Sequence, residues 1–115
     1  MTDFDEPELD DKFFERADAH IHLSNAQTAD TGIGKVSSSM MYATARFNSW
    51  VSACGFQTSS DMEAAKEETI EYFVEQYRLM LEENLNDYIR NFSKYMATAE
   101  GDDPEGKTRR ELFDR

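Results

Sequence analysis

Two histidines and the acids beside them are the residues of this chain best suited to hold a metal ion. Asp18 and His22 are four residues apart, and on a helix Glu15 would share their face. Carboxylate metal bundles use a Glu-x-x-His motif, but the residues three before His20 and His22 are both alanine. Glu15, Asp18 and His22 are therefore candidate ligands of an alternative hypothesis, a ligand- or metal-binding helical bundle. We expect no metal or cofactor.

A phosphate-binding loop is a second chemistry to consider, at Gly32-Ile33-Gly34-Lys35. Glycine amides ahead of a helix can surround a phosphate. The loop motif requires a glycine five residues before Gly34 and a Ser or Thr after Lys35, whereas the sequence has Ala29 and Val36 there. We interpret the segment as a helix-ending turn.

Cys54 is the single cysteine, so the chain can form no intrachain disulfide, and this favours a reducing compartment. It falls on the apolar side of a predicted helix, which indicates a packed thiol rather than a nucleophile. No other nucleophile has an adjacent base, and no glycine-rich cofactor loop is present. The sequence therefore predicts a protein without catalytic activity.

The elements that position these residues are helices, because apolar residues recur at steps of three or four. The pattern predicts an all-α fold in which three principal helices form a small bundle. The first helix is expected from about residue 9 to residue 31, with Asp10 or Asp11 as its N-cap and with Gly32 and Gly34 ending it. Its apolar face is expected to contain Phe13, Phe14, Ala17 and Ile21.

The second predicted helix, residues 36–56, is expected to lie at the centre of the bundle. Arg46 is the one charged residue between Val36 and Phe56, which is unusual for a helix with a face in water. Phe47 and Trp50 are therefore expected to be buried. A row of small residues on the opposite side would let another backbone approach closely; it contains Ser38, Ala45, Ser49 and Ser52.

The third predicted helix is uninterrupted from about Ser60 to Met96, since this stretch contains neither Pro nor Gly. Ser60 and Glu63 have the spacing of a capping box. Roughly 37 helical residues would span about 55 Å, so the helix is expected to be very long or bent near Glu82-Glu83-Asn84. Its apolar stripe consists of Ile70, Phe73, Tyr77, Leu81, Leu85, Tyr88, Phe92 and Tyr95.

Ala65, Tyr72 and Leu79 form a second ridge, spaced by seven and outside that stripe. The three helices of one chain could cover the stripe, and a symmetry mate is the economical cover for the ridge. The sequence thus predicts a homodimer, with Ala65, Tyr72 and Leu79 as interface candidates.

Charge limits the possible partners. The 115 residues include 24 acidic and 12 basic ones, a formal net charge of −12, which repels nucleic-acid phosphate but would suit a basic protein partner. No run of residues resembles a signal peptide or a membrane span, so we expect a cytoplasmic protein that binds neither membrane nor nucleic acid. A flexible acidic start (1–8), one helical domain (9–99) and a flexible tail (100–115) are the expected organisation.

Three literal runs resemble a small proteobacterial family catalogued as a domain of unknown function. They are Phe13-Phe14-Glu15-Arg16-Ala17-Asp18-Ala19-His20-Ile21-His22-Leu23-Ser24-Asn25, the segment from Lys35-Val36-Ser37 through Arg46-Phe47-Asn48-Ser49-Trp50-Val51-Ser52-Ala53-Cys54, and Glu71-Tyr72-Phe73-Val74-Glu75-Gln76-Tyr77. The resemblance covers about residues 13–96. It implies a bacterial protein with no assigned activity and supplies no catalytic residues.

These patterns favour a small helical interaction or assembly protein as the first functional hypothesis. The ligand- or metal-binding bundle is the alternative, and an enzyme comes third.

Overall fold

The computed structural model describes residues 10–101. Within this range the chain has no strand, which confirms the all-α class; its helices are α1 (Phe13–Gln27), α2 (Ile33–Ala53), α3 (Ser59–Ala64), α4 (Lys66–Arg90) and α5 (Phe92–Gly101). The chain divides at Gly55 into two compact units, one with α1 and α2 and one with α3 to α5. The flexible start predicted for 1–8 and most of the tail predicted for 100–115 lie outside the described residues. A single domain over 9–99 stays a prediction.

Helix α1 begins at Phe13, four residues later than predicted, after a turn built by Asp10. The Asp10 carboxylate accepts a hydrogen bond of 2.9 Å from the Lys12 backbone N–H and pairs with both terminal nitrogens of Arg16, at 3.2 and 2.9 Å. These hydrogen bonds, with that from Arg16 the strongest, lower the pKa of Asp10 to about 2. The Asp10–Arg16 link is therefore intact above pH 4 and weakens as the pH falls toward 2.

The prediction that Gly32 and Gly34 end the first helix is wrong. Helix α1 ends at Gln27, where the Thr28 backbone N–H and hydroxyl both donate to carbonyls of the last turn, the hydroxyl at 2.6 Å to Asn25. Gly32 is instead the N-cap of α2, with extended backbone angles, and its carbonyl accepts from the Lys35 and Val36 N–H groups. Gly34 lies inside the first turn of α2 because the chain has already turned at Thr28.

Helices α1 and α2 meet near the ends that the turn joins. Val36 is nearly fully buried, at 6% exposure. The Ser24 hydroxyl donates to the Met40 sulfur at 3.5 Å. On α1 the half-buried residues are Phe13, Ala17, Ser24 and Thr28, whereas the expected face residues Phe14 and Ile21 are 66% and 48% exposed. Small and polar side chains therefore form much of the α1 contact.

The prediction that Phe47 and Trp50 are buried is wrong for the chain as described. Their exposed fractions are 63% and 61%. The contact of α1 with α2 at Ser24 and Met40 lies in the first half of α2, and both aromatic residues lie in its second half. The sequence pattern identified one apolar face, but α1 covers only its beginning.

The small-residue row of α2 behaves as expected at one position. Ser52 is 1% exposed, and its hydroxyl donates to the Asn48 carbonyl at 2.9 Å, so its one polar side-chain atom has a partner. Ser38, Ala45 and Ser49 are exposed. Close packing on this side of α2 is therefore concentrated near its C-terminal end.

The predicted continuous third helix is interrupted at its beginning by Ala65. Helix α3 starts two residues earlier than the Ser60 capping box would place it, because the Thr58 hydroxyl accepts a 3.0 Å hydrogen bond from the Asp61 N–H. At Ala65 the backbone N–H bonds the Met62 carbonyl, three residues back rather than four. A new helix, α4, then begins at Lys66.

A second one-residue break, at Asn91, separates α4 from α5. The Asn91 side-chain nitrogen donates to the carbonyl and the carboxylate of Asp87, at 3.1 and 2.9 Å. Such side-chain bonds compete with the helical pattern. Helix α4 passes through residues 82–84 without a break, and the bend expected there stays a prediction. The actual interruptions lie at Ala65 and Asn91.

Tyr95 links α5 back to α4 across this break. Its hydroxyl donates to the Asp87 carboxylate at 3.0 Å, and its ring lies 4.5 Å from that of Tyr88, centroid to centroid. The hydrogen bond to Asp87 is the main cause that raises the pKa of Tyr95 above its usual 10.0. Asp87 thus holds both Asn91 and Tyr95.

We predict that Ser52→Leu lowers the free energy of unfolding by about 1 to 3 kcal/mol, because a buried position has no room for the larger side chain. Urea denaturation followed by circular dichroism measures the loss. Ser49→Leu is the matched control, since Ser49 makes the same kind of hydrogen bond, to the Ala45 carbonyl, but is exposed. Equal effects of the two substitutions would contradict the burial of Ser52.

We predict that Tyr95 loses its proton at a higher pH than a tyrosine without an acidic partner. In a titration of phenol absorbance, Tyr95→Phe should remove a late step, and Asp87→Asn should move that step to lower pH. Because the folded-state pKa is raised, the stabilising bond is fully present below pH 10 and is lost as the pH rises through that raised pKa. A late step that survives Tyr95→Phe would refute the assignment.

Candidate interaction surfaces

The aromatic residues Phe47 and Trp50 form an exposed pair on α2. Their ring centroids are 5.7 Å apart, with planes tilted by 35°. Met41 and Tyr42, in the middle of α2, are 54% and 67% exposed. Exposed aromatic side chains of this kind are typical of protein–protein contact surfaces.

No helix within residues 10–101 is long and apolar enough to cross a membrane.

The larger apolar surface is on α4. We define the exposed α4 face by six residues whose steps of three and four place them on one side of the helix. Their exposed fractions run from 41% at Leu81 to 57% at Val74. Phe73, which the sequence stripe included, is half-buried, and Val74 takes its place. The face consists of Ile70, Val74, Tyr77, Leu81, Leu85 and Tyr88.

Charged side chains border the exposed α4 face on one side. Arg78 and Glu82 line an open groove together with Val74, Leu81 and Leu85 of the face. Within residues 10–101 Arg78 makes no ion pair. A cation and an anion thus lie one helical turn apart beside an apolar row. The sequence shows their spacing, but not that both line a groove.

The predicted interface ridge has a different environment from the α4 face. Ala65 and Tyr72 are half-buried, and Leu79 is 51% exposed. The ring of Tyr72 packs edge-on against that of Phe73, at 5.1 Å. The expectation that the chain's own helices cover the stripe while the ridge stays open is therefore wrong for the stripe. A contact of the ridge with a second copy stays a prediction.

The candidate metal ligands Glu15, Asp18 and His22 all lie on α1 and are exposed. Within the described part of the chain, no three His, Cys, Asp or Glu side chains are grouped so that they could hold a metal ion. Gly32 to Lys35 form the cap and first turn of α2. Within the described residues, neither the metal site nor the phosphate-binding loop considered from the sequence has a complete set of ligands.

Cys54 is exposed rather than packed, contrary to the sequence interpretation. It is the C-cap residue of α2, where the helix gives way to the turn at Gly55. The apolar stripe of α2 reaches Cys54 in sequence, but its second half is already exposed at Phe47 and Trp50, and the helix ends at Ala53.

We predict that Cys54 reacts with a thiol reagent in the native protein, because it is exposed. Without denaturant, Ellman's reagent should release one equivalent of thionitrobenzoate per chain, and the Cys54→Ser variant should release none. Reaction that requires denaturant would show that Cys54 is covered.

The structure is similar to the NMR structure of the protein NB7890A from Shewanella sp., with a TM-score of 0.65 and 39% sequence identity. The match covers 80% of this chain and 98% of the Shewanella chain. No curated protein matches.

The family model that matches is described as protein of unknown function (DUF3144), and it covers residues 13–89. That range contains α1 to α3 and nearly all of α4, including the exposed α4 face. It lies within the range, 13–96, over which the literal runs resemble a family of unknown function. The chain belongs to the DUF3144 family.

Proposed function

We propose that this protein is a small helical assembly protein that works as a homodimer and has no catalytic activity of its own. The observation that carries the proposal is the exposed α4 face, six large side chains in a row that are each 41% to 57% exposed. Exposed apolar surfaces of this extent favour association, because burial removes the apolar area from water.

The area of the face supports a specific contact. A half-exposed aromatic or large aliphatic side chain presents on the order of 100 Å². The six residues and the neighbouring Ile89, which is 71% exposed, would then contribute roughly 700 Å² per copy, close to the about 800 Å² per partner of a standard interface. A second copy is an economical occupant, because one patch then serves both sides of a two-fold contact.

The exposed pair Phe47 and Trp50 supports an interaction role from the other unit of the chain. Rigid aromatic side chains contribute contact area at low entropic cost. Arg46 is the one charged residue between Val36 and Phe56, so the helix that carries the pair has no acidic residue in this stretch, although the protein is strongly acidic. This surface would suit a further protein contact of the assembled dimer.

We predict that light scattering at micromolar concentration reports about twice the chain mass of 13.3 kDa. The burial of apolar area is the driving force, so the dimer should persist in moderate salt. A dilution series gives the dissociation constant and serves as the control against nonspecific aggregation, which would give no discrete mass. A compact monomer at these concentrations would refute the proposal.

A further inference from the structure

We propose that two copies of this chain pair through their exposed α4 faces in antiparallel orientation, with Arg78 of each copy against Glu82 of the other. This inference rests on the proposed homodimer and assigns its interface and register. It places the contact on the α4 face rather than on the ridge of Ala65, Tyr72 and Leu79.

The exposed α4 face, together with the neighbouring Ile89, is self-complementary when it is reversed. Placing Ile70 of one copy opposite Ile89 of the other brings Val74 opposite Leu85. The pattern repeats on the other side of the two-fold axis, which passes between the Tyr77 and Leu81 levels. All these side chains are exposed in the single chain and are available for such a contact.

Charge distribution along α4 favours the antiparallel orientation over the parallel one. From Lys66 to Tyr77 the helix carries four glutamates and one lysine, and from Arg78 to Arg90 it carries two arginines and three acids. A parallel pair would align the two acidic halves and the two helix dipoles, and like charges side by side repel. An antiparallel pair places each acidic half against the half that contains the arginines.

The register gives Arg78 a specific partner. A two-fold axis perpendicular to the helices makes equivalent flanks of the two copies face each other. Arg78 and Glu82 are on the same flank of the groove. In the register set by Ile70 and Ile89, Arg78 lies at the level of Leu81 and Glu82 of the second copy. The dimer would then contain two Arg78–Glu82 pairs, and Arg78 makes no ion pair within the described chain.

The experiment uses two full-length charge-reversal variants, Arg78→Glu and Glu82→Arg. Alone, each places like charges at both contacts, so each homodimer should dissociate with a Kd raised roughly tenfold. Mixed, they restore opposite charges at both contacts between chains, so heterodimers should exceed the statistical share. Native mass spectrometry distinguishes the three species by mass. Rescue in the mixture cannot come from the Arg78 and Glu82 of a single helix, because neither variant contains that pair.

Glu83→Arg is the matched control. It makes the same charge change one residue away, on the opposite side of α4. Mixed with Arg78→Glu, it should give no excess of heterodimer. Circular dichroism checks that every variant remains helical.

Leu81→Glu and Leu79→Glu provide a test that does not depend on charge pairing. Both leucines are on α4, at 41% and 51% exposure, but only Leu81 belongs to the exposed α4 face. Leu81→Glu should give a helical monomer, and Leu79→Glu should remain dimeric. The reverse result would overturn the inference and place the interface on the ridge.

The failures of the two proposals are distinguishable. A wild-type dimer whose charge variants mix only statistically would overturn the antiparallel register and leave the homodimer intact. A monomeric wild type would overturn both and would leave the α4 face to a different protein or to residues 102–115.

Discussion

Many large apolar side chains of α2 and α4 are exposed, because the described chain has too little surface to cover them. The other features of the structure depend on this shortage of covering surface. A helix satisfies its backbone N–H and C=O groups internally except in its first and last turns. Side-chain burial needs a second surface. Among the described residues only Val36 and Ser52 are nearly fully buried. The hydrophobic contribution within one chain is therefore modest, and any partner that covers the open faces also stabilises the fold.

Polar side chains mark three of the helix boundaries, whereas Gly32 begins α2 and Ala65 separates α3 from α4 without a side-chain hydrogen bond. Thr28 ends α1, Thr58 begins α3, and Asn91 separates α4 from α5, each through hydrogen bonds to a backbone group one turn away. Such side chains can replace a helical backbone hydrogen bond by a side-chain hydrogen bond of similar energy. These three boundaries are thus specified by local hydrogen bonds.

The sequence predicted what depends on periodicity and not what depends on coverage. The all-α class and most of α2 followed from the apolar spacing and from the near absence of charge around Arg46. Periodicity identifies the face of a helix that would be buried, but it cannot say whether the chain has anything to bury it against, and Phe47 and Trp50 show the difference. The half-burial of Phe73 and the exposure of Val74 likewise depend on small rotations about the helix axis that a residue count cannot resolve. The interruption at Asn91 had a readable signal, because Asp87, Asn91 and Tyr95 are spaced by four and can bond one another. At Ala65 no residue type marks the break.

The breaks at Ala65 and Asn91 also limit the length over which α4 presents one regular surface. On an unbroken helix two copies could slide past each other by a heptad, about 10.5 Å, and still find a similar row of side chains. On a helix of 25 residues with an altered backbone at each end, such a slip would leave several apolar side chains opposite a turn. In the proposed dimer, the one-residue interruptions at both ends of α4 would therefore favour a single alignment over a staggered, open-ended polymer contact.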